Sequence, residues 1–155
     1  MTTDIEPREA FEAMVRASSY MTLATADAAG TPWASPVWFA STDFRQFFWV
    51  SSPQSRHSQN LAARPELAIS IFDSRQPPYS GQGVYVAAVG EVMPESEIDA
   101  GLEVYSGVSR QRGLPEWDRS KVVSPAKHRL YRATAHELFV PGLPRRAPAG
   151  VTRLT

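Results

Sequence analysis

Residues 51–61 read SSPQSRHSQNL and directly follow an aromatic run, Gln46 to Ser51, that has the composition of a β-strand. Ser52 is placed to cap a helix with Pro53 at its first position, and Pro65 is placed to end that helix. The opening of a helix presents free backbone N–H groups, and here hydroxyls, a guanidinium and an imidazole accompany them. The stretch therefore predicts a phosphate-binding site, and with it a phosphorylated cofactor lying against a β-barrel.

Five other segments also have the composition or the alternation of β-strands. Pro32 and Pro36 both fall in one of them, and because proline donates no ladder hydrogen bond they predict an edge, a bulge or an opening in the sheet. The six predicted strands run from Tyr20 to the Asp27–Gly30 turn, from Thr31 to Ala40, from Gln46 to Ser51, from Leu67 to Phe72, from Val84 to Met93 and from His128 to Val140.

Helical periodicity flanks these strands. A first helix, capped by Thr3 or Asp4, should close one barrel end with an apolar face of Phe11, Met14 and Val15. A second pattern runs from Glu95 to Tyr105, interrupted by Gly101. We expect a flexible segment over residues 107–125, a single domain over residues 1–140 and a loose tail over residues 141–155, which is rich in proline and glycine.

These elements predict a mainly β protein with short helices, built on a six-stranded antiparallel barrel, because closure removes exposed sheet edges. A barrel of the oligonucleotide-binding type has a similar strand count. The extra helix between the third and fourth strands favours the first architecture.

Composition narrows the function classes. The 155 residues include 16 basic and 16 acidic side chains, so a broad electrostatic footprint for nucleic acid is absent. The lack of cysteine excludes disulfides, thiolate nucleophiles and Cys-ligated metals, and no metal site is expected from His128 and His136, which have no carboxylate at metal spacing. No signal peptide or membrane span is visible, and we expect a cytoplasmic protein.

Several short motifs occur in a telling order: Leu23-Ala24-Thr25, Ser35-Pro36-Val37-Trp38-Phe39, Ser51-Ser52 through Ser55-Arg56-His57 to Asn60-Leu61, Arg64-Pro65, and Gly83-Val84 to Glu91. In this order they resemble the FMN-binding split-barrel family, whose members are relatives of pyridoxamine-phosphate oxidase. The resemblance covers roughly Glu6 to Met93 and implies a split β-barrel of the FMN-binding type.

By this resemblance, FMN is the expected cofactor, with a deazaflavin coenzyme or haem as alternatives. The flavin phosphate would be held by Ser51, Ser52, Arg56 and His57. The flavin ring would lie along the second strand, at Ser35, Pro36, Val37, Trp38 and Phe39. Gln82 and Tyr85 would add contacts across a homodimer interface.

Two departures from the family pattern carry consequences. The usual lysine of the phosphate motif is replaced by His57, whose cationic form is expected to bind phosphate better than its neutral form. Ala40 stands where the vitamin oxidases carry a substrate-binding lysine, so oxidation of a vitamin phosphate is not expected.

The resemblance thus predicts an FMN-dependent oxidoreductase that transfers electrons between a reduced nicotinamide and a small organic acceptor. A non-catalytic flavin or haem carrier, and a deazaflavin-dependent reductase, are the alternatives on the same barrel. Among the aromatic residues, Trp38 is expected beside the cofactor, and Trp33 and Trp49 in packing. Three arginines, Arg110, Arg112 and Arg119, either cover an anionic ligand or belong to a mobile surface loop.

Overall fold

The computed structural model describes residues 6–78, 83–141 and 151–154, so that the predicted caps Thr3 and Asp4 and the predicted contact Gln82 lie outside it. A short 3₁₀ turn, Glu95–Glu97, precedes the third helix. The elements are α1 (Pro7–Ala17), β1 (Tyr20–Ala26), β2 (Pro32–Trp38), β3 (Gln46–Ser51), α2 (Arg56–Ala63), β4 (Glu66–Phe72), β5 (Gly83–Val92), α3 (Ile98–Gln111), α4 (Arg119–Val122), β6 (Arg129–Pro141) and β7 (Val151–Leu154).

The described strands form one antiparallel sheet in the order β2-β1-β4-β5-β6-β3, with β7 paired to the end of β6. The two ends of this order, β2 and β3, meet at a single backbone bridge, where Ala40 and Phe48 exchange hydrogen bonds of 3.0 and 2.9 Å. Beyond that bridge the two strands separate. The mainly β split barrel predicted from the sequence is confirmed, with seven strands among the described residues rather than six.

The position of β2 at the edge of the sheet explains why it can contain two prolines. It is a terminal strand of the sheet, paired only with β1 along its length. Phe39 donates its N–H to Ser19 O at 3.2 Å, whereas Ala40 bonds to Phe48 on the opposite side. Because successive residues of a strand direct their backbone groups to alternate sides, Pro32 and Pro36 share the side of Ala40, where β1 requires no N–H. The predicted edge position is confirmed.

The barrel interior is filled by one apolar cluster that α1 closes from one end. Phe11, Met14 and Val15 of α1 are buried in it, as their helical spacing predicts. Trp49 is fully buried and stacks on Tyr131 with ring centroids 5.4 Å apart. The predicted packing role of Trp49 is therefore confirmed.

The helix after β3 begins later than the sequence suggested. Ser55, not Ser52, is the N-cap, and its side chain accepts a hydrogen bond from the N–H of Ser58 at 3.4 Å. Ser52 instead accepts from the N–H of Gln54 at 3.1 Å in the preceding turn. A cap motif in the sequence can start a turn as readily as a helix, because both satisfy the same local N–H group.

The segment expected to be flexible is ordered by α3 and α4. Helix α3 continues to Gln111, and the Ser106 hydroxyl donates to Trp117 O at 2.6 Å and accepts from Trp117 N at 2.8 Å. These bonds bring the chain after α3 back onto the helix. A second apolar cluster lies between α3, α4 and the outer face of the sheet, and it includes Phe48, Met93, Leu102, Tyr105, Val122 and Leu130.

The prediction of a loose tail does not hold for its last residues, because Val151–Leu154 pair with Leu138–Pro141 of β6. Residues 142–150 lie outside the described part of the chain. Within the described residues, no helix combines the length and the apolarity needed to span a bilayer.

Candidate functional site

The split between β2 and β3 is the centre of the candidate site. At one end it is closed by the Ala40–Phe48 bridge. Further along, the N-terminal end of α2 lies over the split, and its side chains reach both strands. A gap in a sheet leaves backbone groups available to a ligand, so this is where the fold allows a cofactor to approach the chain.

His57 spans the split. Its Nε2 lies 2.8 Å from the Ser51 hydroxyl at the end of β3 and 3.1 Å from the Ser55 hydroxyl. Its Nδ1 lies 3.2 Å from the Ser35 hydroxyl on β2. The imidazole is only 8% exposed, and it therefore joins the two edge strands where the backbone no longer does.

This burial affects the protonation state of His57. Desolvation lowers the pKa of His57 below its ordinary value, so the neutral imidazole is favoured at neutral pH. A neutral ring has one donor and one acceptor nitrogen, and both meet serine hydroxyls here. In this arrangement His57 positions the hydroxyls of Ser51 and Ser55.

The Ser55 hydroxyl contacts several polar side chains, and the sequence analysis did not single it out as a site residue. Besides capping α2, its hydroxyl lies 3.2 Å from that of Ser51 and donates to the Ser58 hydroxyl at 2.8 Å. The helix is fixed further along by Asn60, whose Nδ2 donates to Thr25 Oγ1 of β1 at 3.0 Å. A serine at the start of a predicted helix was the available signal, but two serines competed for the cap.

Arg56 is exposed at the first position of α2, and its guanidinium carbon lies 4.4 Å from the ring centroid of Trp33 on β2. Among the described residues, no carboxylate lies within ion-pair distance of Arg56. The pKa of Asp27 is lowered mainly by the backbone N–H of Thr31, and the charge of Arg56 adds a smaller part. Stacking occupies the face of the guanidinium and leaves its N–H edge free. Trp33 is 41% exposed and packs against Arg56 at the surface.

The residues of β2 that are expected to contact a flavin ring fall into two groups, according to whether their backbone groups face β1 or the split. Val37 and Phe39 direct their backbone groups toward β1, because they alternate with Trp38 and Ala40. The backbone groups of Pro36 and Trp38 face the split. Ser35 contributes its hydroxyl to His57 and shares the backbone direction of Val37.

The other wall of the split is aromatic. The Trp38 ring meets the Tyr105 ring edge-on, with centroids 5.0 Å apart, and Trp117 adds a further edge contact to Tyr105 at 6.4 Å. Burial raises the pKa of Tyr105 to about 12, and a backbone hydrogen bond from Val50 of β3 partly offsets that effect. Tyr105 therefore remains a neutral phenol beside the split.

Two groups of predicted contacts lie elsewhere. Tyr85 is 43% exposed on β5, and β1 and β4 separate β5 from β2, so roughly 14 Å of sheet lies between them within one chain. Arg110 and Arg119 form ion pairs with Glu116 and with Glu95 and Asp99, and Arg112 donates to Ser18 O at 2.9 Å. None of these three arginines is part of the split.

Comparisons with solved structures show the same fold. A haem-binding protein from Mycobacterium smegmatis has 21% identity and a TM-score of 0.67, with 96% of this chain and 59% of that protein covered. HutZ, a haem storage protein from Vibrio cholerae, has 20% identity and a TM-score of 0.66, with coverages of 88% and 95%. A protein described as F420 reductase has 19% identity and a TM-score of 0.59, with coverages of 82% and 94%.

No curated protein matches the sequence. The family model described as pyridoxamine 5'-phosphate oxidase matches residues 7–139, which include every strand from β1 to β5 and nearly all of β6. This chain therefore belongs to the pyridoxamine 5'-phosphate oxidase family.

Proposed function

We propose that this protein is an FMN-dependent oxidoreductase. The observation that carries the proposal is the cluster of hydroxyls at the start of α2, beside the open edge of β2, together with the Arg56 guanidinium, which has no ion-pair partner among the described residues. Bound FMN would accept a hydride from a reduced nicotinamide and pass electrons to a small organic acceptor. The protein would bind and orient the cofactor and keep one face of it accessible.

The donor set fits a phosphate. The first N–H groups of a helix have no intrahelical acceptor, and in α2 they belong to Arg56 and His57. The Ser51 and Ser52 hydroxyls and the Arg56 guanidinium add donors at the same end, and the described residues supply no carboxylate partner for that guanidinium. His57 would act through Ser51 and Ser55, which it holds by hydrogen bonds.

The flavin ring would use the backbone of Pro36 and Trp38, the two members of the expected set that face the split. Tyr85 lies on β5, three strands from β2 and two strands from β3 in the sheet order, and it would join the site from a second copy of the chain. We therefore propose a homodimer in which each site combines the split of one subunit with β5 of the other.

A haem carrier is the second candidate. Two of the similar folds are described as haem-binding and haem-storage proteins. Haem iron is commonly held by a histidine, and both ring nitrogens of His57 are already engaged. His128, exposed beside Trp117, and His136, exposed on β6, are the described histidines that could serve.

An absorption spectrum of the purified protein, incubated in turn with FMN, F420 and haemin, tests these proposals. For the oxidoreductase we expect flavin bands that remain after gel filtration, are bleached anaerobically by NADPH and return in air. Flavin bands that ignore nicotinamides would favour the carrier. A Soret band with haemin and no retained flavin would overturn the FMN assignment, and retention of F420 alone would favour the deazaflavin reductase.

A further inference from the structure

A cavity of about 480 Å³ lies away from the split, between the last turns of α1, the loop that joins β2 to β3 and the end of α3. We call it the α1 cavity. Its volume is within the range of small-molecule sites. Phe39 is the single residue that it shares with the flavin contacts expected from the sequence, and the backbone of Phe39 faces β1.

The apolar wall of the α1 cavity is built from Val15, Phe39 and Val108, all of which are buried in the two apolar clusters. Phe44 forms its outer wall in a left-handed conformation, with φ of 57°, which a bulky residue rarely adopts. The Asp43 carboxylate holds this loop by accepting from the N–H groups of Arg45 and Gln46 at 2.8 and 2.7 Å. The strained wall is thus fixed in place before any ligand arrives.

Ser41 is a polar residue of the cavity lining and is half-buried. Its hydroxyl oxygen is buried and forms no hydrogen bond with any residue that the structure describes. Buried hydroxyls nearly always have a partner, and an unpartnered one in a cavity wall points to a ligand or water that completes it.

The charge of the cavity is that of a single cation. Arg112 donates to Ser18 O at 2.9 Å, to Arg16 O at 3.3 Å and to the Ser19 hydroxyl, all of which are neutral acceptors. These bonds use both N–H groups of Nη2 and one of Nη1, so the Nε–H and the second Nη1–H remain, and an anion can accept a single hydrogen bond from either of them. Arg16 also lines the cavity, but Glu12 pairs with it at 3.1 Å and its guanidinium rests on the Phe44 ring.

From this arrangement we infer that the α1 cavity binds a small monocarboxylate with an apolar body, of the arylalkanoate class. The carboxylate would pair with Arg112 and accept a hydrogen bond from Ser41, and the apolar body would contact Val15, Phe39 and Val108. One uncompensated cation matches one negative charge, which disfavours a phosphate dianion. The site is separate from the proposed flavin site, and its test does not depend on that proposal.

Isothermal titration calorimetry of the full chain with 1-naphthylacetate, and with 1-naphthylacetamide as its neutral analogue, tests the inference. We expect saturable binding of the acid with one site per chain, and an affinity for the amide about ten- to hundredfold lower, because a charge-assisted contact is lost. Absence of saturable binding of the acid at millimolar concentration, or equal affinities for acid and amide, would overturn it.

Three variants locate the binding. Arg112→Gln should weaken binding of 1-naphthylacetate about ten- to hundredfold, whereas Arg110→Gln, on the same helix but paired with Glu116 outside the cavity, should leave it within twofold. Ser41→Val should weaken it about fivefold without lowering the melting temperature, because this hydroxyl has no partner to lose among the described residues. Unchanged affinity in both Ser41→Val and Arg112→Gln would place the ligand elsewhere.

Discussion

At the scale of single residues, Arg56 is the side chain on which the flavin proposal depends most directly. Its guanidinium stacks on Trp33 and has no carboxylate partner among the described residues. We expect Arg56→Ala to weaken FMN binding about ten- to hundredfold, because a charge-assisted contact to the phosphate is lost. Fluorescence titration of the apoprotein with FMN measures this, with Arg75→Ala, whose guanidinium pairs with Asp73, as control. If the two variants bind FMN with equal affinity, the phosphate does not bind at the start of α2.

His57 belongs to the candidate site and should also make the free energy of unfolding depend on pH. Its folded-state pKa is lowered by burial, so the unfolded state binds a proton more readily than the folded state. The free energy of unfolding should therefore fall as the pH drops below about 6.5, the ordinary histidine pKa, and level off below the folded-state pKa. Above that window both states are neutral, the contribution is fully present, and the free energy of unfolding no longer depends on pH through His57.

Urea unfolding from pH 5 to pH 8 measures this contribution as the difference between the wild type and His57→Gln. The difference should shrink as the pH falls, because the variant lacks the group that resists protonation. His136→Gln, at an exposed histidine, should follow the wild type across the range. If instead His57→Gln keeps the pH dependence of the wild type, His57 is not held neutral in the folded protein.

At the scale of elements, the sequence predicted all six strands from β1 to β6, because alternation and turn residues act over short distances. It placed the start of α2 too early, since Ser52 and Ser55 are both competent caps and local chemistry does not rank them. It also missed the order after Gly107, which depends on bonds between Ser106 and Trp117. Contacts between residues so far apart in sequence leave no periodic signal.

Helix α3 contains two glycines whose surroundings differ, and they make a matched pair. A Cβ at Gly101 would lie 2.9 Å from Leu130 Cδ2 and 3.0 Å from Met93 Cε, whereas a Cβ at Gly107 would meet nothing within 4 Å. Gly107→Ala should stabilise the protein by about 0.5–1 kcal/mol through helix propensity. Gly101→Ala gains the same propensity but overpacks the contact with β6 by about 1–3 kcal/mol.

The net expectation for Gly101→Ala is a loss of up to about 2 kcal/mol in the free energy of unfolding. Urea denaturation of both variants at neutral pH decides the matter. Equal stabilisation by the two substitutions would mean that Leu130 and Met93 move aside freely and that the sheet does not select glycine at position 101.

At the scale of the whole molecule, the split barrel explains why the sequence predicted part of the site but not its geometry. Ser51, Arg56 and His57 are close in the sequence, so their common position at one helix end was readable. That Ser35 reaches the same imidazole depends on how β2 and β3 separate after the Ala40–Phe48 bridge. The burial that keeps His57 neutral has the same origin, because the imidazole lies between the two separated strands.

The outer face of the sheet gives the last prediction. Tyr20 and Phe72 are 62% and 60% exposed, and Tyr85 lies beside Phe72 around Gly83 with 43% exposure. An exposed apolar patch of this kind favours association, and in the proposed homodimer a second copy brings Tyr85 to the split. We therefore expect Phe72→Glu to convert a homodimer into monomers and, in the same step, to reduce FMN occupancy.

Light scattering at matched concentrations, with the flavin-to-protein ratio read from the absorption spectrum, measures both effects. Val92→Glu alters an exposed apolar residue at the end of β5 opposite to Gly83, and this variant should keep the dimer and the flavin. The two readouts must change together, since the proposed site is incomplete in one chain. A wild-type monomer that holds flavin at full stoichiometry would contradict a site shared between subunits and would leave Tyr85 without a part in it.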